Sequence, residues 1–200
     1  MAVRRILQLG DPILRRISAP VADPNEAAEL LRDLSDTLAD FRQTHGFGRG
    51  ISAVQIGDAR RVIFLRIDGT PYELVNPEYQ HQSAQTFELW DDCFSFPNLM
   101  VRLRRHTAVR IRYQTPLGTW TELDARDALA ELIQHEMDHL EGILAVDRAD
   151  SPLSLATREE FLRMKRAART ELDPPPIADS PSTVGGKKPC LGVRFLPRLP

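Results

Sequence analysis

The sequence predicts an α+β fold, with small antiparallel or mixed sheets packed around a central helix that carries His135-Glu136-Met137-Asp138-His139. Three observations predict it. Strand-like runs gather between residues 61 and 123, helical spacing precedes and follows them, and the strands do not alternate with helices as a parallel sheet requires. Two hundred residues with 42% hydrophobic and 27% charged side chains suit a single soluble domain with its own core.

Val3 to Gly10 reads as an extended lead-in, and Gly10-Asp11-Pro12 as a turn. Asp23-Pro24-Asn25-Glu26 is a helix start: a capping side chain, a proline in the first turn and a glutamate three residues after the cap. Leu31, Leu34, Leu38 and Phe41 then form one apolar stripe, which reads as core, and Gly46 ends the run. From Gly46 to Gly57 glycines and small residues crowd together, marking a backbone that turns sharply or is approached closely. No Gly-Lys-Ser/Thr follows, which excludes a phosphate loop.

Arg61 to Arg66, Tyr72 to Val75 and Met100 to Arg104 have strand composition, and Val109 to Tyr113 alternates with period two. Thr115-Pro116-Leu117-Gly118 is a turn into a partner strand, Gly118 to Leu123. The arginines that alternate with apolar residues here read as the wet face of a sheet. Asp124 is placed to cap the next helix, with Asp127 three residues on. Ser151-Pro152 breaks the chain after it. Leu155 to Leu172 reads as a charged outer helix with Leu155, Leu162 and Met164 on its apolar side, and Pro174 to Pro176 end it. The chain thus divides into a folded domain over residues 1–173 and a Pro/Gly-rich tail, 174–200, expected to be disordered.

A formal net charge of −2 excludes a surface given over to polyanions, so no DNA partner is expected. No apolar run reaches the length of a membrane span, and the N-terminus shows no signal-peptide pattern. Cys93 and Cys190 are too few for a disulfide framework, and Cys190 in the tail reads as incidental. The expected location is cytoplasmic.

On a helix, His135 and His139 stand four apart and project from one face. Two imidazoles at that spacing hold one divalent metal, with Glu136 placed to move a proton of an activated water. A third ligand is needed. Cys93, in Trp90-Asp91-Asp92-Cys93-Phe94-Ser95-Phe96-Pro97, is one candidate. Glu159, twenty residues beyond His139, is the other, in the manner of glutamate-ligand zinc peptidases. The helix pattern alone leaves both open.

Three segments together resemble peptide deformylase, the family that removes the formyl group from the initiator methionine of nascent bacterial-type proteins. Its motifs G-x-G-x-A-A-x-Q, E-G-C-L-S and H-E-x-x-H are matched in order by Gly48-Arg49-Gly50-Ile51-Ser52-Ala53-Val54-Gln55, Asp91-Asp92-Cys93-Phe94-Ser95 and His135 to His139. Leu9 to Arg15, Val75 to Glu78, Gln134 and Asp147-Arg148 agree as well, and the likeness spans roughly residues 5–165. It implies a deformylase-type fold and a metal held by Cys93, His135 and His139. It implies Glu136 as general base and then acid, with Gln55 and the backbone N–H of Phe94 as the oxyanion hole. Fe²⁺ is the implied native metal, replaceable by Zn²⁺ or Ni²⁺. An N-formyl peptide is the implied substrate, and the ribosome an implied partner.

Gly50, Arg49, Asp92 and Glu131 are expected at the substrate. Asp91 stands for the motif's glutamate and is expected to pair with Arg105, while Phe94 for leucine and Ser52 for alanine are expected to be mild changes. Asp92 puts a side chain where the family brings bare backbone. Arg49 and Glu131 stand where the family's methionine pocket is apolar. Either they face away, or the chain is a paralogue acting on another N-formyl or N-acyl amine.

Overall fold

The computed structural model describes residues 2–172. After the extended start, Asp23 caps a 3-10 turn, Pro24–Ala27, by accepting from the Asn25 amide, and helix α1 (Ala28–His45) follows directly. Its stripe of Leu31, Leu34, Leu38 and Phe41 is buried. Gly46 closes it in the left-handed region, at φ 77°, where a residue without Cβ is least strained.

The described residues hold eight strands: β1 (Gly50–Ser52), β2 (Val62–Ile67), β3 (Thr70–Gln82), β4 (Thr86–Asp92), β5 (Leu99–His106), β6 (Ala108–Gln114), β7 (Trp120–Arg126) and, beyond a further helix, β8 (Leu155–Thr157). They form a five-stranded sheet, ordered β1-β2-β3-β6-β7, and a three-stranded sheet, β4-β5-β8. Every strand pair is antiparallel. Asp68-Gly69, with φ of 48° and 85°, makes the two-residue turn from β2 to β3. On β6, Val109 and Ile111 are buried while Arg110 and Arg112 face water and pair with Asp124 and Glu78. That is the expected wet face.

Several elements depart from expectation. Strands β1, β4 and β8 have no counterpart in the sequence reading, and β3 runs on to Gln82. Helix α2 (Asp127–Leu140) starts at Asp127, because β7 continues to Arg126 and Asp124 is held across the sheet by Arg110 at 2.7 Å. Asp124 is therefore no helix cap. Leu155 pairs with Val101 in β8, so helix α3 (Arg158–Leu172) begins later than expected. Leu162 and Met164 lie exposed on it, and the residue turned inward is Phe161, whose ring meets Trp90 at 5.4 Å.

All the strands belong to a unit spanning Met1–Met164; a second unit, Lys165–Pro200, is described only as the end of α3. The expected boundary at 173/174, the 174–200 tail and Cys190 lie outside the described residues.

From Ala130 to Leu140 helix α2 is buried on every side. Ala130, Ile133, Met137 and Leu140 pack against Ile63, Leu65, Leu74, Val109 and Ile111 of the five-stranded sheet. On the side facing β5, the Gln134 carboxamide accepts from the His106 amide and donates to its carbonyl, both at 2.9 Å. A helix without a solvated face belongs inside a core, and this is what puts the histidine pair there.

Where α2 ends, Gly142 sits at φ 70°, and a Cβ built on it would lie 2.5 Å from the Arg15 carbonyl oxygen. Both the dihedral and the clash oppose a side chain. Gly142→Ala is expected to destabilise the fold by about 1–3 kcal/mol, seen as an earlier midpoint in urea denaturation. An unchanged midpoint would contradict this packing.

Candidate active site

The glycines after α1 are explained by what comes close to them. A Cβ on Gly50 would lie 2.7 Å from Glu136 Oε1, and one on Gly48 would lie 2.3 Å from the Phe94 ring. Strand β1 therefore runs with bare backbone against the helix that carries Glu136. Just after it, Gln55 Oε1 accepts from the Ser52 amide at 2.9 Å, which leaves Gln55 Nε2 aimed at Ser95 Oγ (3.4 Å) and Cys93 Sγ (3.6 Å). The Ser52 hydroxyl lies 2.7 Å from Glu136 Oε2 and 3.0 Å from the Glu136 carbonyl.

Cys93, His135 and His139 are all buried, and their ligating atoms lie within 4.8 Å of one another. Cys93 Sγ is 3.3 Å from His139 Nε2. Two such ligands on one tetrahedral ion stand roughly 3.5 Å apart, so the donor set fits a divalent transition metal. His135 Nδ1 meets Asp91 Oδ2 at 3.0 Å, which fixes its proton there and leaves Nε2 for a ligand. His139 Nδ1, by contrast, is buried without a partner among the described residues. Glu159 is exposed on α3 and belongs to no group of close ligand atoms among the described residues, so it is not the third ligand.

Burial governs the charges here. It pushes Glu136 up to about 7, against the pull of His135 and of the Ser52 hydrogen bond. Burial and the neighbouring His135 push His139 well below the ordinary range, favouring the neutral imidazole that a metal takes. For His135 burial acts the same way, but Asp91 and Cys93 outweigh it and raise its pKa. Asp91 itself would be raised by burial; His135 and Arg105 overcome that and hold it near 2.

A cavity of about 340 Å³ opens onto Gln55, Cys93, His135 and Glu136. Arg49, Gly50, Asp92, Phe94 and Glu131 line it as well, so of the sequence-predicted site residues only His139 lies behind the wall. Arg49 and Glu131 do not face away. They pair across the cavity, Nη2 to Oε2 at 2.6 Å, and Arg49 Nη1 donates to the Ala128 carbonyl at 3.0 Å.

This constellation has relatives. The sequence model of the polypeptide deformylase family matches residues 3–154. The chain belongs to that family. Peptide deformylase 2 of Clostridium perfringens is 39% identical over 160 residues, 79% of this chain and 100% of that one. A crystal structure of a peptide deformylase from Legionella pneumophila superposes with a TM-score of 0.71 at 32% identity, covering 87% of this chain and 100% of that one. The Met-Ala-Ser-bound class I type b peptide deformylase from Acinetobacter baumannii gives 0.66 at 29% identity, covering 74% and 98%. Membership in the deformylase family implies a divalent metal, and the Cys93, His135, His139 group is where the donors for one converge.

Set beside the deformylase motifs, the departures have structural partners. Asp92, in place of glycine, is held by Arg158 at 2.7 Å, and the same guanidinium lies over the Phe47 ring at 4.0 Å. Phe94, in place of leucine, stacks on Phe41 with centroids 3.9 Å apart. Ser52 is more than the mild change expected, since its hydroxyl is hydrogen-bonded to the Glu136 carboxylate. Sequence reasoning missed this role, and that of Asp138. Asp138 takes Arg105 Nη1 at 2.5 Å and Arg148 Nη2 at 2.6 Å, and Arg105 also reaches Asp91 at 3.1 Å, as expected. An aspartate between the two histidines, with basic residues elsewhere to match it, was the available signal.

Removing Arg105 leaves two buried carboxylates without their common partner. Arg105→Met is expected to cost about 3–5 kcal/mol, read from urea denaturation. Because Asp91 is depressed in the fold, its stabilisation is complete above the unfolded carboxylate value of about 4 and drains away as pH falls towards about 2. In the variant Asp91 is less depressed, so this loss should be smaller and complete at a higher pH, and a pH dependence of stability identical to that of the wild type would refute the coupling.

Proposed function

We propose that this chain is a metal-dependent amide hydrolase that removes the formyl group from the N-terminus of nascent peptides, with formylmethionine peptides as substrates. The observation that carries the reading is the convergence of the Cys93, His135 and His139 donors at the wall of the cavity that Cys93 and His135 line together with Glu136 and Gln55. Met-Ala-Ser on the Acinetobacter relative, a peptide with methionine first, supports the same substrate class.

Cys93, His135 and His139 would hold the metal. When bound, a divalent cation supplies Lewis acidity, which makes water a nucleophile near neutral pH and polarises the formyl oxygen. Glu136 takes a proton from the attacking water and delivers it to the departing amine, so the products are formate and a peptide with a free N-terminus. A carboxyl pushed up to about 7 by burial can do both near neutral pH. The Ser52 hydroxyl orients that carboxyl. Gln55 Nε2 and the backbone N–H of Phe94 donate to the oxygen that becomes negative when the carbonyl carbon turns tetrahedral. Asp91 keeps the His135 ring in one tautomer and one orientation.

We assign Fe²⁺ as the native metal, with Zn²⁺ or Ni²⁺ as substitutes; a thiolate with two imidazoles suits all three. A nascent-chain substrate places the enzyme near the ribosome, in the cytoplasm. No helix among the described residues is long and apolar enough to cross a membrane.

The test is formate release from formyl-Met-Ala-Ser by anaerobically purified, iron-loaded protein. Glu136→Ala should lower kcat about 10²- to 10⁴-fold with metal retained, and Cys93→Ser should lose stoichiometric metal by elemental analysis. Undiminished turnover in the first variant would sink the role of Glu136. Absence of formate from fully loaded wild-type protein would sink the reaction.

A further inference from the structure

The Arg49–Glu131 pair lies next to the reacting groups. Glu131 precedes His135 by one turn of α2 and shares its face, and one of its carboxylate oxygens falls within 4.8 Å of ligating atoms of His135 and Asp91. Arg49 precedes Gly50, whose backbone is against Glu136. The pair therefore spans from the metal helix to the glycine strand beside the position a scissile carbon takes. A side chain branching from the atom next to the scissile nitrogen meets it within a few bonds.

Leu132 lines the cavity next to Glu131, and the aromatic rings of its wall are otherwise engaged. The Phe94 ring is sheathed by Phe41 and by Gly48, and Phe47 packs edge-on to Phe41 at 5.2 Å beneath the Arg158 guanidinium. The Glu131 side chain is 9% exposed and that of Arg49 is 45% exposed. Arg49 Nη2 and Nη1 donate to Glu131 and to the Ala128 carbonyl, while the side chain as a whole stays partly open to solvent.

We propose that the Arg49–Glu131 pair makes the side-chain seat of this cavity polar, so that N-formyl peptides whose first side chain has methionine's length and carries a neutral hydrogen-bond acceptor near its tip are cleaved at least as well as formylmethionine peptides. The proposal rests on the deformylase reading above. An apolar tip pressed on Arg49 strips water from its N–H groups and returns no bond. An acceptor at the tip replaces that water. A full charge fits worse: an anion meets Glu131 and Asp91, and a cation meets Arg49. A sulfoxide oxygen or a carboxamide supplies the acceptor without a charge.

The experiment compares kcat/KM for formate release by the iron-loaded full chain on formyl-Met-Ala-Ser, on the same peptide with methionine sulfoxide first, and on formyl-Gln-Ala-Ser. The sulfoxide differs from methionine by one oxygen, so it isolates the acceptor. Wild-type protein should take the sulfoxide and glutamine peptides at least as well as the methionine peptide, with the difference mainly in KM. The double variant Arg49→Leu, Glu131→Leu should swing the ratio towards methionine by about tenfold or more. A wild-type preference for methionine, or a ratio the double variant leaves in place, overturns the proposal while formate release upholds the deformylase reading. If the double variant does not fold, the wild-type ratio decides alone. No formate from any of the three peptides removes the parent reading, and this proposal with it.

Discussion

A helix that offers two histidines to one point must be held in register with the strand that delivers the third donor, and here that tie is ionic. Asp91 at the end of β4, Arg105 on β5 and Asp138 on α2 are almost out of water, and Arg148 closes the series from the more exposed side. Any one of these charges alone would be costly to bury. As an alternating chain, each carboxylate has a guanidinium and each guanidinium a carboxylate. Asp91 also holds His135, and Cys93 is two residues beyond it. The ion chain thus fixes the hairpin β4–β5 to α2 and, through it, the proposed sulfur ligand to the proposed imidazole ligands.

The remaining requirement is close approach. Glu136 is pressed between the bare backbone of Gly50 and the Ser52 hydroxyl, inside a stretch of helix that has no wet face. Hydration would lower the carboxyl's pKa and weaken it as a proton acceptor near neutral pH; burial keeps it near 7. The cost is borne by stability. A buried carboxyl and a His139 Nδ1 without a partner among the described residues are features an apolar core would not contain, and they gather where the proposed chemistry is.

How much of this was legible depended on distance along the chain. The His135/His139 pair and the α1 stripe are local patterns with a helical period, and both held. Glycine density showed that something comes close, though not that Glu136 and Phe94 do. The proposal of Cys93 as a third donor rested on motif order, not on any property of its neighbours, and the fold brings its sulfur to the two imidazoles. Strand β4 was missed although Phe87, Leu89 and Asp91 alternate, because the third inward residue is a charge whose partners lie on β5 and α2. Asp124 has the composition of a cap and the position of a cross-strand partner, and the sheet won. Arg49 and Glu131 are 82 residues apart; the sequence shows two charges where apolar residues were expected, and only the fold shows that they meet.

That meeting bears on whether the site is working or decayed. Loss of function leaves substitutions to accumulate one at a time, and a buried charge acquired alone destabilises the fold. In this chain each charged departure from the deformylase motifs is matched within hydrogen-bonding distance: Arg49 by Glu131, Asp92 by Arg158, Asp91 by Arg105. Each pair joins a motif residue to a different element, so the compensation is built into the fold and not into the motif. Meanwhile the ligating atoms of Cys93, His135 and His139 lie at mutual distances suited to a metal, Gln55 Nε2 is 3.6 Å from the Cys93 sulfur, and Glu136 lines the same cavity. A cavity that keeps these groups together while pairing the charges at its wall fits the proposed reaction, with the proposed shift in selectivity.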